Sequence, residues 1–208
     1  MLACPVWNSD EHFKSIMSKV HGITHGANRC YIIHRICLNI SFLEGDVAEI
    51  GVSKGGTLKI IAESVSKNKT IYGFDTFEGM PDLFCDKDVS HKIGDFSDTS
   101  LERVAELLKD NKNVVLVKGI FPESSDIVSD KRFSFVHVDC DLYKSTLSSC
   151  EFFYERLVDG GIMLFDDYGF LKGARTAVDE FFKDKREKPI YFSENTGQCL
   201  VIKLKELG

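Results

Sequence analysis

Asp46-Val-Ala-Glu-Ile-Gly-Val-Ser-Lys-Gly-Gly-Thr57 is the stretch on which the fold turns. A short apolar run, Val47–Ile50, ends in a glycine cluster and passes straight into a helical pattern over Gly56–Ser66. Strand, tight turn and helix in that order make one β/α unit. Glycines in the turn let the chain reverse sharply and bring bare backbone close to a ligand. The helix that follows offers N–H groups without intrahelical partners.

Two phosphate-gripping motifs fail on these letters. A P-loop needs lysine where Thr57 stands, and G-x-G-x-x-G is broken because Val52-Ser53 separates Gly51 from Lys54. An acid at 49 followed by G-x-x-x-G, Gly51 to Gly55, fits a loop for S-adenosylmethionine (SAM) better, with Glu49 facing the ligand's ammonium group. The competing reading is a turn cluster in some other α/β protein.

Outward from this unit the alternation repeats. Further apolar runs lie at Ile71–Phe74, Val114–Val117, Phe133–Val138, Ile162–Phe165, Ile190–Phe192 and Leu200–Leu204. Helix candidates lie between them at Ser100–Asn111, Lys144–Asp159 and Gly173–Lys183. The first five runs are almost continuously apolar, as strands covered on both faces are. The last two are separated only by Ser193-Glu-Asn-Thr-Gly-Gln198, which has hairpin length and turn chemistry. The expectation is an α/β, Rossmann-like fold on the class I methyltransferase plan: seven strands, mostly parallel, closed by a C-terminal antiparallel hairpin. Residues 45–208 form that domain. Residues 1–44 form a helical N-terminal extension, in which Arg29–Leu43 carries apolar residues at spacings of three and four. That helix is a candidate lid or subunit contact.

Composition narrows the partners. The 208 residues carry a net charge of −6, with no long basic stripe, which disfavours duplex nucleic acid. Seven cysteines, an odd number without a CxxC pair, argue against a zinc site and a disulfide framework. Reduced thiols in a cytoplasmic protein are the simpler expectation. Met1–Asp10 shows no leader pattern, and no apolar run is long enough to span a membrane.

In such sheets ligands bind beyond the carboxyl ends of the strands. The second run ends at Asp75-Thr76, where an acid can accept both ribose hydroxyls; a helix N-cap is the competing role. Gly94-Asp95-Phe96-Ser97 can neighbour an adenine or be plain loop. The fourth run ends in Asp139-Cys-Asp141 and the fifth in Asp166-Asp167. Four carboxylates on adjacent strand ends repel one another unless a cation neutralises them. Oxygen donors without thiolate or imidazole point to Mg2+, with Ca2+ or Mn2+ behind it. Two solvated capping clusters are the alternative. His137, inside an apolar run, reads as a core histidine, and His91 as a solvated loop residue.

Six ordered pieces carry a family resemblance: Gly45 to Thr57, Gly73-Phe-Asp-Thr-Phe-Glu-Gly-Met-Pro81, Val117-Lys-Gly-Ile-Phe121, Asp139-Cys-Asp-Leu-Tyr-Lys-Ser-Thr146, Gly160-Gly-Ile-Met-Leu-Phe-Asp-Asp-Tyr-Gly169 and Gly173-Ala-Arg-Thr-Ala-Val-Asp-Glu-Phe181. Over residues 45–204 the chain resembles the macrocin O-methyltransferase (TylF-type) family of SAM- and Mg2+-dependent sugar O-methyltransferases. The resemblance implies Asp139, Asp166 and Asp167 as metal ligands, and Asp139 or Asp141 as the base. It implies a SAM site from Glu49, Gly51, Gly55, Gly56, Thr57, Asp75, Thr76, Asp95, Phe96 and Asp139. It also implies a small-molecule or glycan hydroxyl acceptor and a homo-oligomer. A non-sugar acceptor, a non-catalytic SAM-binding partner, an NAD-dependent oxidoreductase and a nucleic-acid methyltransferase are the rival readings; the last two are weakened by the missing fingerprint and the acidic charge.

Overall fold

The computed structural model describes residues 5–24 and 26–205. Seven strands run β1 Asp46–Ile50, β2 Ile71–Asp75, β3 Val114–Lys118, β4 Phe133–Val138, β5 Leu157–Phe165, β6 Ile190–Tyr191 and β7 Cys199–Ile202. They form one sheet in the order β3-β2-β1-β4-β5-β7-β6. The first five are parallel, and β7 is antiparallel to both β5 and β6. The chain is therefore an α/β protein on the class I methyltransferase plan, with the hairpin at the end as expected.

Helices α1 Glu11–Lys19, α2 Ala27–Asn39, α3 Gly56–Ser64, α4 Leu101–Leu107, α5 Tyr143–Tyr154 and α6 Lys172–Phe182 complete the order. Helix α5 stops earlier than its sequence pattern, because Leu157–Asp159 joins the sheet as the start of β5, with Leu157 paired to Phe133. Helix α1 has no counterpart in the sequence reading. Asp10 caps it by accepting from Phe13 N at 2.9 Å, and Phe13, Ile16 and Val20 bury its inner face.

Alternate strand residues feed two cores, one on each side of the sheet. Val47, Ile71, Phe135 and Leu164 join α1, α2, α3 and α4; Ala48, Phe74, Phe133 and Phe165 join α5 and α6. Cys30, Ile33, Ile36 and Cys37 of α2 are buried in the first core. The apolar face of that helix is thus filled by its own chain. Lys69 ties the same region to the sheet through the carbonyls of Leu43 and Gly45, at 2.6 and 2.8 Å. The second core is aromatic. Phe153 lies 4.9 Å from Phe133 and 5.3 Å from Phe121, centroid to centroid. Phe153→Ala is expected to cost about 3–5 kcal/mol of stability, read from urea unfolding. The six cysteines among the described residues are free thiols; Cys4 lies outside them. No described helix is long and apolar enough to cross a membrane.

Candidate active site

Register builds the site. Phe74, Ile50, Val138 and Phe165 form one row across four parallel strands. The next residue of each strand therefore falls on a common edge: Asp75, Gly51, Asp139 and Asp166. Backbone bonds hold that row, with Gly51 N donating to Phe74 O at 2.9 Å, Asp139 N to Ile50 O at 2.8 Å and Asp166 N to Val138 O at 3.0 Å. A cleft of about 870 Å³ opens beyond it. Gly51, Asp75, Thr76, Phe96, Asp139 and Asp141 line this cleft, with Ser53, Met80 and Ile120 among the other walls.

Backbone around the cleft takes left-handed conformations. Gly51 has φ +92°, and a Cβ there would stand 1.8 Å from the Asp139 carbonyl oxygen. Ser53, Phe77, Phe96 and Asp141 are the described non-glycine residues with positive φ, and three of the four line the cleft. Such backbone persists only where its surroundings over-determine it. Asp75 accepts from Ser53 N at 2.7 Å and from Phe77 N at 2.6 Å, so it shapes the loops on both sides of the cleft.

Five residues of the expected SAM site do not reach the cleft. Glu49 is buried below the edge, sharing a 2.9 Å hydrogen bond with His137 Nδ1. Burial and the charges of Asp139 and Asp75 push its carboxyl well above the usual range. Its second oxygen, Oε2, is buried without a hydrogen-bond partner. Gly55 caps α3 in the left-handed conformation against Val104. Gly56 is covered by the Ile23 carbonyl, which would stand 2.3 Å from a Cβ there, and Thr57 is buried beside it. Asp95 accepts from Lys92 N at 3.1 Å within its own loop.

The four acids do converge, and they divide into two kinds. Asp166 is enclosed: Gln198 Nε2 donates to Oδ1 at 2.5 Å, His137 Nε2 lies 3.4 Å from the same oxygen, and Arg29 closes on Oδ2 as an ion pair. His137 is thus a core histidine held between two carboxyl groups. Asp139, Asp141 and Asp167 each offer an oxygen, and these lie within 4.8 Å of one another. Asp167 Oδ2 is buried without a hydrogen-bond partner. An all-oxygen set with an orphaned carboxylate oxygen fits a hard divalent cation. A second group, His137, Asp139 and Asp166, meets the same distance but has its histidine already engaged.

Burial pushes both Asp141 and Asp167 up; the charges of Asp167 and Asp139 push Asp141 further, while Asp139 pushes Asp167 up and Arg29 and Asp141 draw it back, to about 6.

Three neighbours of the acids were not assigned a role from sequence. Arg29 reaches them from α2, Gln198 from the turn into β7, and His91 from the long loop after β2. His91 is half-buried rather than solvated, with Nε2 3.8 Å from Asp141 Oδ1 and its ring 5.4 Å from that of Phe96. None of the three follows a strand, so position along the chain carried no signal for them.

The sequence model of the family described as Macrocin-O-methyltransferase (TylF) matches residues 26–197. Among curated proteins, demethyldecarbamoylnovobiocin O-methyltransferase of Streptomyces niveus is 26% identical over 151 residues, 66% of this chain and 58% of the relative. An 8-demethyl-8-(2,3-dimethoxy-alpha-L-rhamnosyl)-tetracenomycin-C 4'-O-methyltransferase of Streptomyces olivaceus is 29% identical over 154 residues, with the same coverage. The matched part thus spans 58% of each relative's length. Among solved structures, the O-methyltransferase NovP superposes with a TM-score of 0.75 at 21% identity, covering 86% of this chain and 81% of its own. The calicheamicin methyltransferase CalS11 gives 0.71 at 18%, covering 96% and 94%. At these identities the structural likeness speaks for the fold.

Proposed function

The chain belongs to the macrocin-O-methyltransferase (TylF) family, and on that premise we propose that it transfers the methyl group of SAM to a hydroxyl of a sugar or glycoside, assisted by Mg2+. The observation that carries this reading is the common edge formed by Asp75, Gly51, Asp139 and Asp166, which sets a donor cleft directly beside a cluster of acids. The names of the two Streptomyces relatives support an O-methyl transfer, one of them on a rhamnosyl-bearing molecule.

In this reading Asp75 accepts the ribose hydroxyls, and Gly51, whose missing side chain leaves room for the Asp139 carbonyl, shapes the turn that lies against the donor. Asp139 and Asp167 hold the cation. Asp166, which the family resemblance would add to them, keeps its oxygens on Arg29, Gln198 and His137 instead. A bound Mg2+ supplies Lewis acidity, lowering the pKa of an acceptor hydroxyl. Asp141 takes the proton: it lines the cleft, and its raised pKa brings it nearer the working pH, where a general base is most effective. Holding both reactants along one sheet edge supplies the positional part of the acceleration.

Calorimetric titration of SAM into the protein, with Mg2+ and again with EDTA, tests the donor half. Binding is expected in both arms. Asp75→Ala is expected to weaken it roughly 10- to 100-fold, the worth of lost hydrogen bonds to a charged acceptor. Absence of binding to folded wild-type protein would sink the methyltransferase reading. Binding without methyl transfer to any glycoside hydroxyl would leave a SAM-binding partner protein.

A further inference from the structure

Arg29 reaches the acids from the first turn of α2. Its Nη2 donates to the Asp166 carbonyl at 2.9 Å and to Asp167 Oδ1 at 3.0 Å, while pairing with Asp166 Oδ2. The side chain is 13% exposed, and its guanidinium carbon lies 5.5 Å from the centre of the Phe170 ring, within cation–π reach. Its Nε is buried with no hydrogen-bond partner. A buried permanent charge with an unmatched donor is costly unless its ion pairs are strong. The acids are what keep it there. Asp167 meanwhile faces two ways, Oδ1 toward Arg29 and Oδ2 unpartnered near Asp139 and Asp141.

We propose that Arg29 is a positioning residue that sets how tightly the carboxylate site holds its divalent cation. By taking up Asp166 and one oxygen of Asp167, it lowers the negative charge left for the metal. The inference rests on the metal-assisted reading above.

The test is calorimetric titration of Mn2+ into the wild type, Arg29→Met, Arg29→Lys and Asp167→Asn. Arg29→Met is expected to bind Mn2+ roughly tenfold or more tightly than wild type, since a nearby like charge has gone. Arg29→Lys, which keeps the charge, is expected to stay close to wild type. A merely structural Arg29 gives the opposite result, a loosened acid set and weaker binding in Arg29→Met. Equal or weaker binding in that variant overturns the inference and leaves the metal reading standing. Mn2+ heat that survives Asp167→Asn comes from elsewhere and also overturns it. No Mn2+ binding by any of the proteins overturns the metal reading and the inference together. If Arg29→Met does not fold, hydrogen exchange of the wild type decides. Saturating Mn2+ should draw Asp167 from Arg29 and speed exchange in residues 27–39; unchanged exchange with Mn2+ bound overturns the inference.

Discussion

Asp141→Asn is expected to lower kcat for methyl transfer by about 10²- to 10⁴-fold, the usual worth of a positioned general base. SAM affinity should hardly change. Asp141 lines the cleft from the loop before α5, and its carboxylate lies within 4.8 Å of oxygens of Asp139 and Asp167. Asparagine keeps the size and tolerates positive φ, so the loop should survive the change. The wild type should also lose kcat as acid protonates this base, whose burial favours the protonated form. That acid limb should be missing from the residual activity of the variant. Stopped-flow or discontinuous methyl-transfer assays across pH, together with SAM calorimetry, separate the outcomes. Equal loss of turnover and SAM binding would assign Asp141 a structural role instead.

Gly51→Ala should be the most damaging single methyl group in the protein. Two penalties coincide at this position. The residue has φ +92°, where an L side chain is strained, and the added Cβ would stand 1.8 Å from the Asp139 carbonyl oxygen and 2.6 Å from its carbonyl carbon. Neither partner can yield cheaply, because Asp139 N is bonded to Ile50 O within the sheet. The expected result is a stability loss of about 3 kcal/mol or more together with loss of SAM binding. Gly94→Ala is the control. It shares the positive φ, at +83°, but a Cβ there meets nothing within 4 Å. Its cost should be confined to the backbone, about 1 kcal/mol. Comparable losses in the two variants, measured by urea unfolding, would show that the close approach to Asp139 is unimportant.

The fold was legible because β1, β2 and β4 are covered on both faces and so read as almost unbroken apolar runs, a pattern that the half-buried β3 and the end of β5 repeat. Helix α1 was not legible: nine residues with three buried side chains in and just beyond it make a faint pattern, and Asp10 is a cap only once the helix is known. The acids were legible because register carries the residue after each strand to the same edge. Glu49 shows the limit of that logic. It lies inside β1, opposite His137 of β4, so the two share a sheet face and pair with each other below the cleft. Position before a glycine loop suggested a ligand contact; it carried no signal for the cross-strand histidine that takes up one carboxylate oxygen. Arg29, His91 and Gln198 come from a preceding helix, a long loop and a hairpin turn. Only tertiary packing brings them to Asp166 or Asp141.

Asp166 is clasped from both directions along the chain. Arg29 comes from 137 residues before it and Gln198 from 32 residues after it. The cost of closing such loops grows with the length of chain between their ends, so the Arg29 arm is the costlier of the two. The half of the sheet around β1 and β2 can be native, with its glycine turn in place, before either arm has docked. The acid cluster is therefore expected to be complete only once both arms have docked. A partly folded chain would hold an unclasped group of mutually repelling carboxylates, and the final docking of both arms is what converts that liability into a defined site.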